Sequence, residues 1–171
     1  MGGWWRGVLY DEPALWLAPT FTWTFTFLYA AVALDGAPTP PSLAVSCVRL
    51  PASGWLEMAG HRASCQGFAQ PIESTIHFRD HHRYRSTDLQ VVRQRGRLLQ
   101  VVAEVEGDLD GLGIEAMRAS SRLLFDGIVV DLVDAPPDTD AAREMLEDFT
   151  DTTGLEGYAR AHGFWFTPTA G

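Results

Sequence analysis

The sequence predicts an α+β protein: a strongly curved antiparallel β-sheet or small open barrel in the N-terminal two thirds, followed by two to three helices in the C-terminal third. Threonine and aromatic residues alternate with a period of two over residues 20–29, and β-rich runs separated by turn residues continue to about residue 106. Apolar residues then recur at helical spacing from about residue 112. With 171 residues, we expect a single domain that is β-rich over 1–106 and helical or mixed over 112–171.

The stretch TFTWTFTFLY at residues 20–29 has two interpretations. Residues 15–34 carry no charge and have about the length of a membrane span, so a single-pass anchored protein is one alternative. The period of two favours a strand instead, because it puts Trp23, Phe25 and Phe27 on one face and the threonines on the other. We therefore predict a strand here and expect no membrane span.

The residues that follow predict further strands. Asp35-Gly36 predicts a turn before a second strand at residues 42–50. The clearest hairpin spans residues 89–105, where two β-rich runs meet around Arg95-Gly96. Its predicted inward face consists of Leu99, Val101, Ala103 and Val105.

The apolar period changes in the last third of the chain. Residues 114–126 predict a helix that ends at Asp126-Gly127, and residues 128–133 predict a buried strand. The predicted apolar face of this helix contains Ile114, Met117, Ser121 and Leu124.

A second helix is predicted at residues 135–149, because Pro, Asp and Thr capping residues open this segment. Its predicted inward face consists of Ala142, Met145, Leu146 and Phe149. Residues 155–162 predict a short third helix, and the sequence FWF at residues 164–166 predicts a last strand.

Composition excludes several classes of chemistry. All 13 basic residues are arginine, so Schiff-base chemistry, pyridoxal phosphate attachment and a phosphate-binding loop lysine are excluded. The net charge of −9 disfavours nucleic acid as a partner. We expect no cofactor and no metal site, because neither a dinucleotide fingerprint nor a metal-ligand motif is present.

The charges are unevenly distributed along the chain. Six arginines fall between Arg79 and Arg97, whereas fifteen acidic residues lie between Glu104 and Glu156. The arginine-rich stretch could face an anionic ligand, but we favour pairing with the acidic C-terminal third. The two cysteines, Cys47 and Cys65, are too few for a disulfide framework. We expect two free thiols rather than one disulfide.

The stretch with the densest group of candidate functional side chains is HFRDHHRYR at residues 77–85. In an extended chain the odd-numbered residues share one face, which could bind a carboxylate or phosphate through arginines. His77 or His81 on that face could act as an acid or base, while the even-numbered face offers Asp80 to orient His82 and Tyr84 as a hydrogen-bond donor. The candidate catalytic residues are His77, His81, His82, Asp80 and Tyr84. The candidate ligand-binding residues are Arg79 and Arg83, together with the aromatic Trp23, Phe25 and Phe27.

We therefore expect a soluble, cytoplasmic protein that binds a small hydrophobic or anionic molecule in an aromatic-lined pocket. The pattern is compatible with cofactor-independent acid–base catalysis of the isomerase or cyclase type, but leaves open whether the chain is an enzyme. The alternative is a non-enzymatic assembly subunit whose acidic C-terminal helices meet a basic partner. A homodimer is also compatible with the sequence.

Overall fold

The computed structural model describes residues 2–12, 14, 17–34, 37–67 and 71–169, without the side chains of Leu17, Leu34, Ala37 and Thr39. Twelve strands and one helix lie in this part of the chain. They are β1 (Gly2–Glu12), β2 (Leu17–Leu28), β3 (Val32–Leu34), β4 (Ala37–Thr39), β5 (Ser42–Val48), β6 (Arg62–Gln66), β7 (Glu73–Phe78), β8 (Asp80–Arg95), β9 (Leu98–Asp108), β10 (Ala116–Asp131), α1 (Thr139–Glu147), β11 (Leu155–Ala159) and β12 (Phe164–Pro168).

One sheet closes on itself. Its strand order is β1-β2-β5-β7-β8-β9-β10, and β10 pairs in turn with β1. The closing pair is parallel and runs from Trp4↔Leu124 to Tyr10↔Asp131, whereas the other six pairs around the closed part are antiparallel. β6 takes the place of β7 farther along β8, and the β11–β12 hairpin extends the sheet beside the end of β10.

The alternating stretch forms strand β2, as predicted. Trp23, Phe25 and Phe27 face the interior and are at most 1% exposed. Among the described residues, no helix has the length and apolar character needed to cross a membrane. The predicted turn at Asp35-Gly36 lies outside the described residues.

The predicted α+β class is wrong, because the described part of the chain is mostly antiparallel strand with one short helix. Residues 116–131 form the long strand β10, where the sequence predicted a helix followed by a strand. Alternate residues of β10 are buried, whereas Ile114 and Leu124 of the predicted helical face are 42% and 48% exposed. The inward positions Ala119 and Ser121 are small or polar, so they obscure the period of two, and pairing on both sides overrides the local helix propensity.

The third predicted helix is also wrong, because residues 155–159 form strand β11 and pair with β12. Three other predictions are confirmed: strand β5, the hairpin at 89–105, and the last strand β12. The second predicted helix is confirmed as α1, and the side chain of Asp138 caps it by accepting a hydrogen bond from the backbone N–H of Ala141 at 2.9 Å. Phe149 of the predicted inward face lies beyond this helix and is 41% exposed.

One end of the closed sheet is plugged by apolar side chains. The Trp55 ring stacks on Phe125 with ring centroids 4.7 Å apart, and Trp5 lies 4.4 Å from the same ring. The side chain of Gln94 holds the Trp55 segment by bonding the backbone N–H of Met58 and the carbonyl of Trp55, each at 2.8 Å. Buried residues of α1 and its flanks complete this plug: Leu132, Ala142, Leu146 and Leu155.

The β11–β12 hairpin is attached to β1 by stacked arginine and aromatic side chains. The Arg6 guanidinium lies 3.9 Å from the Trp4 ring centroid and 5.1 Å from that of Trp165. Arg160 stacks on the same Trp165 ring at 3.9 Å. Trp165 also donates its indole N–H to the carbonyl of Asp126 at 3.2 Å, so this indole is held from several sides.

Gly127 makes room for that indole, and we expect Gly127→Ala to destabilise the fold. An alanine Cβ would lie 2.4 Å from Trp165 Nε1 and 2.6 Å from the Phe166 carbonyl oxygen, at a φ of +128°. Overpacking of this kind costs about 1–3 kcal/mol, or several degrees in Tm for a domain of this size. Thermal unfolding of Gly60→Ala is the control, because Gly60 has a φ of +85° with no atom near its added Cβ. Equal Tm losses in both variants would contradict the packing role.

Candidate binding site at the open end

Three connections meet at the end of the closed sheet opposite the plug. Alternating strand directions bring together the end of β2, the β7–β8 hairpin and the loop between β9 and β10. We call this the open end. It contains most of the titratable residues of the HFRDHHRYR segment.

The segment is split by a tight hairpin whose turn residue is Arg79, with a left-handed φ of 62°. His77 pairs with His81 across the hairpin, and Ile76 pairs with His82. The first pair lies on the outer face, where the two imidazole rings meet edge to face at 4.3 Å. Burial lowers the pKa of His77, and the neighbouring His81 lowers it further.

Tyr84 lies on the inner face of the same hairpin, paired with the buried Ser74. The Tyr84 side chain is 6% exposed, and its hydroxyl is buried without a hydrogen-bond partner among the residues that the structure describes. Tyr29, at the end of β2, is half-buried and donates its hydroxyl only to the thioether of Met117 at 3.5 Å. A thioether is a weak acceptor, so both phenols lack a good hydrogen-bond partner.

The two phenols remain protonated at neutral pH. Burial raises the pKa of Tyr84, and the nearby carboxylates of Asp108 and Glu115 raise it further. Burial and then the neighbouring Tyr84 raise the pKa of Tyr29. Both groups are therefore hydrogen-bond donors under physiological conditions.

Two further polar atoms on inward-facing positions of the closed sheet are buried without a partner among the described residues. Nδ1 of His82 is one of them. The hydroxyl of Ser121 is the other, on a β10 side chain that is 8% exposed between the buried Ala119 and Leu123. The Thr87 hydroxyl, by contrast, is satisfied by Ser74 at 2.7 Å.

The loop between β9 and β10 is fixed at the open end by an ion pair. The Arg83 guanidinium donates two hydrogen bonds to Asp110, at 3.0 and 2.9 Å, and the Arg83 backbone N–H donates a third at 2.7 Å. These bonds hold the pKa of Asp110 far below its usual range. Leu112, in the same loop, packs against the buried core. The loop therefore lies directly beside His82 and Tyr84.

Asp108 gives this loop its shape. Its carboxylate accepts the backbone N–H groups of Gly111 at 2.9 Å and Gly113 at 2.6 Å. Partial burial acts to raise the pKa of Asp108, but the backbone N–H groups outweigh it and lower the pKa. The carboxylate thus stays ionised close to the Tyr84 phenol.

The remaining predicted site residues lie in the buried core or in the turn of the β7–β8 hairpin. Trp23, Phe25 and Phe27 are fully buried in the aromatic core. The Asp80 carboxylate accepts the backbone N–H of His81 at 2.8 Å, and Arg79 makes the turn.

Sequence reasoning did not select Tyr29, Met117 or Ser121 as site residues. Tyr29 was visible as the residue that ends the alternating stretch, so its position at a strand end was the available signal. Met117 and Ser121 were hidden by the helix prediction.

Within the described residues, no group of three or more His, Cys, Asp or Glu side chains is arranged to hold a metal ion. Cys47 and Cys65 are free thiols. Comparisons with protein-family models, curated proteins and solved structures gave no match.

Arg83→Gln should raise the pKa of Asp110 towards the ordinary value of about 3.9. The depressed pKa means that the Asp110 contact stabilises the fold above that ordinary value and is lost as the pH falls below it. In Arg83→Gln the carboxylate should titrate at higher pH, and the backbone N–H of Leu109, which bonds the Arg83 carbonyl, should exchange faster. NMR titration and hydrogen exchange measure both effects. Arg85→Gln is the control, and an unchanged Asp110 midpoint in Arg83→Gln would contradict the ion-pair role.

Proposed function

We propose that the chain binds a small, largely apolar, neutral molecule with a hydrogen-bond acceptor at the open end of the closed sheet. The observation that carries the proposal is the Tyr84 hydroxyl, which is buried without a partner. Burying a hydroxyl without a hydrogen bond costs about 1–3 kcal/mol, so such groups call for a specific explanation. A carbonyl, ether or hydroxyl oxygen of a ligand would offset that cost.

The surroundings of Tyr84 favour a neutral ligand over an anionic one. Asp108 and Glu115 both act to raise the Tyr84 pKa, which means that the local potential is negative. An anion at this position would be repelled by the same carboxylates. Of the two ligand classes that the sequence suggested, the hydrophobic one fits this site.

Binding fits the site better than acid–base catalysis. Raised pKa values keep Tyr29 and Tyr84 protonated, so they donate hydrogen bonds but do not abstract protons at neutral pH. His82 then contributes its unpartnered Nδ1 as a second polar contact for the ligand. The alternative of an assembly subunit depended on acidic C-terminal helices, and α1 is the one helix described there.

Tyr84→Phe should weaken ligand binding about tenfold without destabilising the free protein. One lost hydrogen bond of about 1.4 kcal/mol corresponds to that factor. The free protein should keep or raise its Tm, because the variant removes an unsatisfied buried hydroxyl. A neutral naphthyl ketone dye, whose emission shifts when its carbonyl accepts a hydrogen bond, is the probe.

Tyr10→Phe is the matched control, because it deletes the same atom from a tyrosine whose hydroxyl lies 4.0 Å from Cys47 Sγ. The control should bind the dye like the wild type. Equal dye affinity in Tyr84→Phe and wild type, or no saturable binding to the wild type, would contradict the proposal.

The histidines of the outer face should not contribute to this binding. The double variant His77→Ala/His81→Ala should bind the dye within about twofold of the wild type, because this pair lies on the outer face of the hairpin. His82→Ala should weaken binding, because its Nδ1 is among the buried unpartnered atoms. The same fluorescence titration measures both variants, and the reverse order of effects would place the ligand on the outer face.

A further inference from the structure

A second polar region lies on the outer face of β8, β9 and β10, away from the open end. A cavity of about 200 Å³ is lined there by three arginines and two glutamines. Its arginines are Arg93, Arg95 and Arg122, and Leu98 and Leu99 complete the lining with Gln94 and Gln100. None of the described residues that line this cavity is a carboxylate, although the chain has a net charge of −9.

The register of the sheet brings these arginines together. Arg93 and Arg122 flank Gln100 on either side, since Gln100 pairs with both of them. Neighbouring strands lie about 4.8 Å apart, so the two backbones are about 10 Å apart. Arg95 follows Arg93 two residues later on β8, about 7 Å along the strand. All three side chains can therefore reach one small ligand.

The neighbouring part of the same face is built differently. Arg62 forms an ion pair with Asp88, and Arg118 pairs with Glu104 at 3.4 Å. Among the described residues, no carboxylate pairs with Arg93, Arg95 or Arg122. One face thus contains arginines matched with acids beside a cluster of three that are not.

Like charges grouped on a sheet repel one another. The neighbouring arginines on this face are each neutralised by a cross-strand acid, whereas this cluster is not. An unmatched group of guanidiniums is well suited to an oxyanion, because each presents a planar fork of N–H donors that fits phosphate or carboxylate oxygens. We propose that Arg93, Arg95 and Arg122 form a binding site for the phosphate group of a phosphate monoester.

The dimensions suit this ligand class. A water molecule takes up roughly 30 Å³, so the cavity can hold a phosphate group and several waters. The Gln100 side chain adds amide N–H donors between the outer arginines. The ester portion would extend over Leu98, which lines the cavity, towards Val92 and Leu124; these three side chains are 41%, 46% and 48% exposed.

A phosphate monoester could belong to a soluble compound or to a lipid headgroup, and two arms of one experiment separate these sources. In the first, inorganic phosphate is titrated at constant ionic strength, with chloride as reference, while NMR follows the Gln100 amide and the arginine Nε–H signals. In the second, the protein is sedimented with phosphatidylcholine vesicles with and without phosphatidic acid. Saturable phosphate binding without sedimentation supports a soluble compound. Sedimentation that requires phosphatidic acid supports a headgroup.

Single variants identify the site. Arg93→Gln, Arg95→Gln and Arg122→Gln should each weaken phosphate or vesicle binding about tenfold, because each removes a charge-assisted contact. Arg118→Gln is the matched control, with the same charge change four residues away on the same face, and it should bind within about twofold of the wild type. The Tm of all four variants should remain close to that of the wild type, since these side chains are exposed. No binding in either arm, or equal weakening by Arg118→Gln, would overturn the proposal.

Discussion

The parallel pairing of β1 with β10 is the constraint on which the other features depend. The paired segments are far apart in sequence, from Trp4↔Leu124 to Tyr10↔Asp131, so this contact joins the first strand to one of the last. Without it, the sheet would leave two long edges exposed. Closure turns the inward positions of β1 and β10 towards one shared interior, and this brings Trp5 against Phe125. It also creates two ends that differ chemically.

That difference explains why the candidate site lies where it does. Trp55 and the residues around α1 fill one end with apolar side chains, and hydrogen bonds from Gln94 fix the plug. At the opposite end, Arg83 and Asp110 fix a loop beside Tyr84, whose hydroxyl remains buried and unpartnered. An apolar plug leaves no polar group unsatisfied, whereas the buried Tyr84 hydroxyl lacks a hydrogen-bond partner among the described residues. The polar groups at the open end therefore call for an explanation that the apolar plug does not require.

Much of the sheet could be predicted from local patterns. The alternation in β2 and the hairpin around Arg95-Gly96 have a clear period of two with turn residues at the right places. Strand β10 could not be predicted in this way, because its inward residues include Ala119 and Ser121, which give little apolar signal. Its strand conformation depends on pairing with β1 and β9, and no local window contains that information.

The sites, like strand β10, depend on cross-strand pairing that no local sequence window contains. The period of two at residues 77–85 separated His77 and His81 from His82 and Tyr84, but which of the two faces is inward depends on the pairing of β7 with β8 across the turn at Arg79. Arg93 and Arg95 were visible as part of an arginine-rich stretch, whereas Arg122 lay in a predicted helix. Cross-strand register, once β10 is a strand, places Arg122 beside Gln100 and completes an unmatched cluster of positive charge. The strand conformation of β10 therefore contributes to both regions: it places Met117 against Tyr29 at the open end and a third arginine on the outer face.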